Sequence, residues 1–187
     1  MSGPFRIEGY AIVSGDGMLA DASGAMPDEI KFKADQDYFQ SGLDRAAAVI
    51  QGRHSHEGGP RADARRRLVA TRQVASLAHD PVNPNALLWN PAGLRLEEAL
   101  REFGVTSGTI GIIGGTDVFG FFLDRGYDAF HLSRAPRHVR LPGGRPVFPQ
   151  VLLGRTPEEI LRERGLKPGP ERLLDPDAGV TVTVFER

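Results

Sequence analysis

Two consecutive glycines, Gly114 and Gly115, separate the apolar run GTIGII (108–113) from the helix-like segment TDVFGFFL (116–123). No other feature restricts the fold so tightly. Glycine accepts backbone angles and close approaches that other residues do not. A strand that ends in glycine and opens a helix also leaves free N–H groups where a phosphate can sit. Read locally, the pair is either an ordinary strand-to-helix turn kept small for packing or part of an anion site. The spacing is not G-x-G-x-x-G, so the rest of the chain must decide.

The surrounding pattern is an alternation of short apolar runs with amphipathic segments. FRIEGYAIV (5–13), AAAVIQG (46–52), RLVAT (67–71), ALLWN (86–90), GTIGII (108–113) and YDAFHLSRA (127–135) read as strands, and VTVTVFER (180–187) is the clearest strand by its strict alternation. Helices are expected from about Ala34 to Gln40, over 94–104 with a glycine stop, over 116–123 capped by Gly115 or Thr116, and over 156–165 with Thr156 as N-cap and Pro157 in the first turn. Residues 15–28, 57–66 and 136–150 are rich in Gly, Pro and Asp and read as loops. Strands alternating with helices predict an α/β fold with a largely parallel sheet. RLLD, the turn DPDAG and the last strand add a C-terminal hairpin at one edge. Without a convincing linker or repeat, residues 1–187 are expected to form a single domain.

Composition excludes several classes of function. The formal net charge is −1, and no basic stripe is interleaved with aromatics, so no nucleic-acid partner is expected. No apolar run approaches a membrane span, and MSGPFRIEGYAIV lacks the pattern of a signal peptide, which together predict a cytoplasmic protein with no membrane partner. The chain has no cysteine, which removes disulfides, thiolate nucleophiles and Cys-bound zinc, and no metal site is expected.

In order, the chain offers AIVSGDGMLAD, GAMP, ADQDYF, VIQGRHS, RRRLVATR, IIGGTDVF, FHLSRA and GGRPVFP. This ordered set, above all VIQGRHS followed by IIGGTDVF, resembles the dihydrofolate reductase family from about residue 7 to 149. The resemblance implies a twisted, mostly parallel eight-stranded sheet flanked by helices, with NADPH lying across the carboxyl ends of the strands. It implies that Gly114 and Gly115 are joined by a cis peptide, and that Ile113, Gly114, Gly115, Thr116, Asp117, Val118 and Phe119 approach the cofactor, Phe119 near the nicotinamide. Gly52, Arg53, His54 and Ser55 match a second cofactor element, a helix opened at a strand end. Thr71 and Arg72 match the segment around the ribose phosphate, with Arg72 suited to a dianion. Ile12 and Leu19 complete the implied cofactor contacts. Asp117 is a departure, since a basic residue often stands there.

For the substrate, the resemblance implies a pterin. Asp35 stands four residues before Phe39, so both share one helix face, and a lone acid in an apolar pocket has a raised pKa. Ser133 matches the strand hydroxyl that orders this carboxylate, while Tyr10, Phe39 and Arg65 are the other implied substrate contacts. The competing reading of Asp35 is a helix N-cap. That of Arg65, which the sequence does not distinguish from Arg66 and Arg67, is a solvated basic edge. Met26 and Pro27 match a mobile lid. The tryptophan that usually follows them is Asp28 here, and Arg145-Pro146 replaces the usual Asp-Thr of the loop coupled to that lid.

The expected activity is NADPH-dependent reduction of 7,8-dihydrofolate, with hydride from the nicotinamide and protonation assisted by Asp35, in a monomer or homodimer. The alternatives are a reductase of another pterin of the dihydromethanopterin type, a reductase of a riboflavin-pathway pyrimidine, to which AIVSGDGMLAD is also similar, and a non-catalytic NADPH-binding protein.

Overall fold

Runs that are apolar on both faces, such as AVIQG, are built for the interior of a parallel sheet, and the chain uses them so. The computed structural model describes residues 4–187. Its elements are β1 (Phe5–Val13), β2 (Met18–Ala20), α1 (Lys33–Leu43), β3 (Ala48–Gly52), β4 (Arg67–Ala70), β5 (Leu77–His79), β6 (Ala86–Trp89), α2 (Leu96–Glu102), β7 (Gly108–Ile112), α3 (Thr116–Arg125), β8 (Ala129–Arg134), β9 (Arg145–Pro146), α4 (Pro157–Glu163), β10 (Lys167–Pro168), β11 (Arg172–Asp175) and β12 (Val180–Glu186).

Six strands in the order β8-β1-β7-β3-β4-β6 pair in parallel. Antiparallel strands extend both ends: β5 beside β6, and β12 beside β8, with β10 and β11 on the far side of β12. The expected hairpin is β11–β12. The sheet therefore has ten strands rather than eight. The two extra ones, β5 and β10, are short edge segments of three and two residues, too brief to leave an alternation in the sequence.

Parallel neighbours need crossovers, and these place the helices. α2 and α3 close one face over a core that includes Leu87, Trp89, Leu100, Phe122, Phe130 and Phe148. α1 closes the other over Tyr10, Leu43 and Val49. Between β3 and β4 the crossover is not a helix. Gly58, Gly59 and Pro60 interrupt residues 53–66, which form turns and one 3-10 turn at Ala62–Ala64. The helix expected after Gly52 is thus absent, because this glycine-proline composition does not sustain one. α4 starts as the sequence predicts, with Thr156 and Glu159 forming a reciprocal capping box.

Gly9 sits mid-strand in β1, where a Cβ would lie 2.3 Å from Phe130 Cδ2. Phe130 is fully buried. Gly9→Ala overpacks this contact and is expected to lower unfolding stability by about 1–3 kcal/mol, read as a lower urea midpoint with an unchanged slope.

Candidate functional site at the carboxyl ends of the strands

The site begins with an acid on the wrong stripe of a helix. Asp35, Phe39 and Leu43 follow one another at i, i+4 spacing along α1 and face the sheet. Asp35 is only 8% exposed. It does not cap the helix, whose N-cap is Phe32. Burial pushes its carboxyl up to about 6, against the opposing pull of the Ser133 hydroxyl across the gap on β8. α1 can approach the sheet this closely because Gly42 presents no side chain: a Cβ there would meet Tyr10 Cε1 at 2.5 Å.

A small cavity of about 10 Å³ is lined by Tyr10, Ile12, Asp35, Tyr38, Phe39, His131 and Ser133 among others. That is room for one water molecule, well below a typical ligand site. A heterocycle would fit there only if a bordering side chain such as Tyr38 or Phe39 moved aside. Tyr10, Phe39, Asp35 and Ser133 are therefore brought together as expected. Tyr38, His131 and Glu8 were not singled out from the sequence. Tyr38 Oη lies 2.6 Å from His131 Nδ1, and Tyr10 Oη donates to Glu8 Oε2 at 2.7 Å. Burial alone would raise Glu8, but the His131 ring 3.4 Å away and the hydrogen bonds from Arg6 and Tyr10 hold its carboxyl down at about 2. The alternation of Glu8, Tyr10 and Ile12 on β1 was the available signal.

The expected cofactor residues converge in part. Gly52 N donates to Gly114 O at 2.9 Å, tying the ends of β3 and β7 together. Every peptide bond among the described residues is trans, so the expected cis link is absent. Positive φ angles of 148° and 69° at Gly114 and Gly115 make the turn instead. A Cβ on Gly114 would stand 3.1 Å from Ser55 Oγ, so the bare backbone is required. Gly115 caps α3 without a side-chain hydrogen bond, which leaves the first-turn N–H groups open to an anion at this crevice. A nicotinamide dinucleotide's pyrophosphate fits that cradle.

Ile113 and Val118 flank the turn, and Ile12 is buried beside Asp35. Thr71 is buried and its hydroxyl accepts from Gln73 N. Arg53, His54, Arg72 and Asp117 are exposed at the rim, Arg53 and His54 touching each other at 3.1 Å. On the same sheet face as Tyr10, beyond β7, a cavity of about 300 Å³ lies over β3, β4 and β6, bordered by Gln51, Arg53, His56, Val69 and Leu88.

Two expectations fail. Phe119 is 2% exposed and packs on Phe130 and Phe148, on the core side of α3 and away from the crevice. Arg65 is not available to a substrate carboxylate. Its Nε donates to Glu57 at 2.8 Å, and its Nη1 and Nη2 to Asp44 and Gln40, each at 2.7 Å. Arg67 grips the other oxygen of Glu57, a carboxylate with no solvent exposure. Lacking a crossover helix, this face needs the polar lattice as cover.

The lid is better anchored than its composition suggests. Leu19 lies in β2, which pairs with β9, so Arg145 and Pro146 couple directly to it. The Thr116 hydroxyl donates to Pro146 O, joining β9 to the start of α3. Met26 is 38% exposed. Asp28 turns outward to Lys31 at 2.9 Å and puts no charge into the pocket.

Among the described residues no His, Cys, Asp and Glu cluster could hold a metal, and no helix is long and apolar enough to cross a membrane. No family model matches the sequence, and no curated protein matches it. Solved structures do resemble the chain. One, a protein provisionally assigned to riboflavin biosynthesis from Shewanella sp. PV-4, has a TM-score of 0.64 at 16% identity, over 97% of this chain and 98% of that one. Another is a diaminohydroxyphosphoribosylaminopyrimidine deaminase/5-amino-6-(5-phosphoribosylamino)uracil reductase from Thermotoga maritima, with a TM-score of 0.66 at 17% identity, over 97% of this chain and 56% of that one. The chain has a dihydrofolate reductase-like fold.

Two variants test this geometry. The folded state holds the Asp35 proton up to about pH 6, whereas an unfolded aspartate releases it near 3.8. The ionised carboxylate therefore destabilises the fold, and the cost grows as pH rises from about 4 to about 6, reaching at most about 3 kcal/mol. Asp35→Asn is expected to raise the melting temperature at pH 8 and leave it near wild type at pH 4. Arg65→Ala leaves Glu57 held by Arg67 alone and is expected to cost about 1.5–3 kcal/mol of stability in denaturant titrations; a stable variant with only a raised KM would restore a substrate role for Arg65.

Proposed function

We propose that this chain is a reductase that uses NADPH to reduce a small nitrogen heterocycle, with Asp35 as the group that binds and protonates it. The carrying observation is a desolvated carboxylate on the sheet-facing stripe of α1, opposite Ser133 and one strand away from the bare Gly114-Gly115 turn. When bound, NADPH supplies the hydride. Gly52, Ser55, Gly114, Gly115 and the start of α3 would hold its pyrophosphate, Ile12 and Ile113 would border the nicotinamide, and Thr71 and Arg72 would meet the ribose phosphate. The 300 Å³ cavity beside Arg53 and His56 offers room at the adenosine end. β2 and Met26 would exclude water above the reacting ring.

The protonated Asp35 carboxyl accepts a hydrogen bond from an amino or ring N–H of a pterin or an aminopyrimidine through one oxygen, and its O–H gives its proton to the nitrogen beside the carbon that receives the hydride, leaving a carboxylate. Its carboxyl at about 6 stands close to working pH, where a general acid is most effective. The substrate class favoured is a riboflavin-pathway aminopyrimidine. The resemblance in fold to such proteins supports it, and so does the engagement of Arg65, which leaves no built grip for a folate tail. A dihydropterin is the second reading, supported by the Asp35, Phe39 and Ser133 arrangement.

The test is NADPH absorbance loss with 5-amino-6-(5-phosphoribosylamino)uracil and with 7,8-dihydrofolate in parallel. Turnover is expected with the pyrimidine, fullest below pH 6 and falling above it. Asp35→Asn is expected to lower kcat by about a hundredfold or more with NADPH affinity unchanged. Turnover of dihydrofolate alone would select the second reading; NADPH binding with no turnover on either would leave a non-catalytic binding protein.

A further inference from the structure

Two exposed arginines beside the Asp35 cavity have no acid to pair with. Tyr38 borders that cavity. Its hydroxyl is tied to His131 Nδ1 at 2.6 Å, and the His131 ring stacks on Tyr10 at 4.2 Å between centroids and 5° between planes. The Tyr38 ring is thereby fixed, and the Arg172 guanidinium lies over it at 5.7 Å. Tyr38, Ser41 and Arg45 follow one another at i, i+3 and i+7 along one stripe of α1 and the turn after it. Arg45 Nη1 donates to Ser41 O at 2.8 Å and to Ser41 Oγ at 3.2 Å, which leaves its Nε and Nη2 without a partner among the described residues. The carboxylates nearby are engaged elsewhere: Asp37 with Lys33, Asp44 with Arg65, Glu8 with Arg6, and Glu171 with the Thr181 hydroxyl. Burial raises the pKa of the Tyr38 hydroxyl, and the charges of Arg172 and Arg45 oppose that rise, so both guanidinium groups act at this point.

Strand register places Arg172 at the level of the acid. Ile12 on β1 pairs with Ser133 on β8, Ser133 with Val182 on β12, and Val182 with Arg172 on β11. Cross-strand partners point to one face of a sheet, so Arg172 shares the face of Ile12 and Ser133. Two strand spacings, about 10 Å, separate it from Ser133. α1 packs against β11 over this face. A substrate tail that leaves the Asp35 cavity past Tyr38 therefore meets both guanidinium groups. β11 and the Gly114-Gly115 turn lie on opposite sides of β1, so the tail and the cofactor do not compete for space.

We propose that Arg45 and Arg172 form the subsite that grips a phosphomonoester on the substrate's tail, so that the reaction at Asp35 is directed to a phosphorylated heterocycle. The inference rests on the reductase reading of the site. A phosphomonoester carries about −1.5 to −2 charges at neutral pH. It matches two unpaired guanidinium groups, each of which can offer parallel N–H donors. A lone carboxylate would neutralise only one of them. The two arginines touch the tail and not the reacting ring, so they determine specificity and take no part in the chemical step.

The test compares wild type with Arg172→Gln and Arg45→Gln on 5-amino-6-(5-phosphoribosylamino)uracil and on the same compound without its phosphate. Wild type is expected to favour the phosphorylated form in kcat/KM by about a hundredfold or more. Each variant is expected to cut that preference by about tenfold or more, through KM rather than kcat, and Arg172→Lys and Arg45→Lys to restore part of it. Equal kcat/KM for the two forms in wild type, or a preference that survives both variants, would overturn the subsite. Turnover of dihydrofolate alone would overturn it too, while leaving the reductase reading in place. If wild type reduces nothing, that reading fails on its own, and the subsite is judged by nitrogen-15 NMR of the arginine side chains. Shifts at Arg45 and Arg172 with ribose 5-phosphate but not with ribose support it. Equal shifts with both, or none with either, reject it.

Discussion

Parallel pairing of β1 with both β7 and β8 is the constraint on which the rest of the molecule depends. Parallel neighbours cannot be joined by tight turns. The chain must cross over the sheet after each strand, and the carboxyl ends of β1, β3, β4 and β7 all finish on one side. Four segments that lie far apart in sequence thereby meet along a single crevice: the start of the lid, the turn after Gly52, Thr71-Arg72 and Gly114-Gly115. The bond from Gly52 N to Gly114 O fixes two of them to each other.

That crevice has an acidic end and a wide end. The acidic end depends on Asp35 replacing an apolar residue in the seam between α1 and the sheet. Burial there opposes ionisation, so the fold is less stable for carrying it, and such cost is common where chemistry is done. Gly42 is part of the same arrangement, because without its missing side chain Tyr10 could not lie under the helix. Tyr10 in turn supports His131, so one glycine on α1 reaches the ring chain through a single contact.

The wide end shows the opposite use of charge. Glu57, Arg65 and Arg67 are largely out of solvent, yet each is paired. They cover the β3–β4 face where the glycine-proline crossover fails to supply a helix. Buried pairs of this kind do little for net stability but are costly to break. A run of three arginines that looks like a ligand grip is therefore divided by position: Arg65 and Arg67 are locked inward and Arg66 is exposed.

Much of this was legible in the sequence because it is local. Apolar periodicity located the main strands, Thr156 and Glu159 marked the start of α4, and the i, i+4 spacing put Asp35 and Phe39 on one face. Gly114-Gly115 marked a special turn, although positive φ angles rather than a cis bond make it. Short edge strands were missed because two or three residues cannot show a period. The inward turn of Phe119, the capture of Arg65 by Glu57, and the meeting of Tyr38 with His131 were not legible, since each depends on partners brought from distant segments by strand register. The sequence by itself determined the α/β order and the acid on its helix face, because periodicity and spacing are properties of neighbours. Only the tertiary structure decided which charges are spent on one another and which remain for a ligand, because that is set by which strands lie side by side.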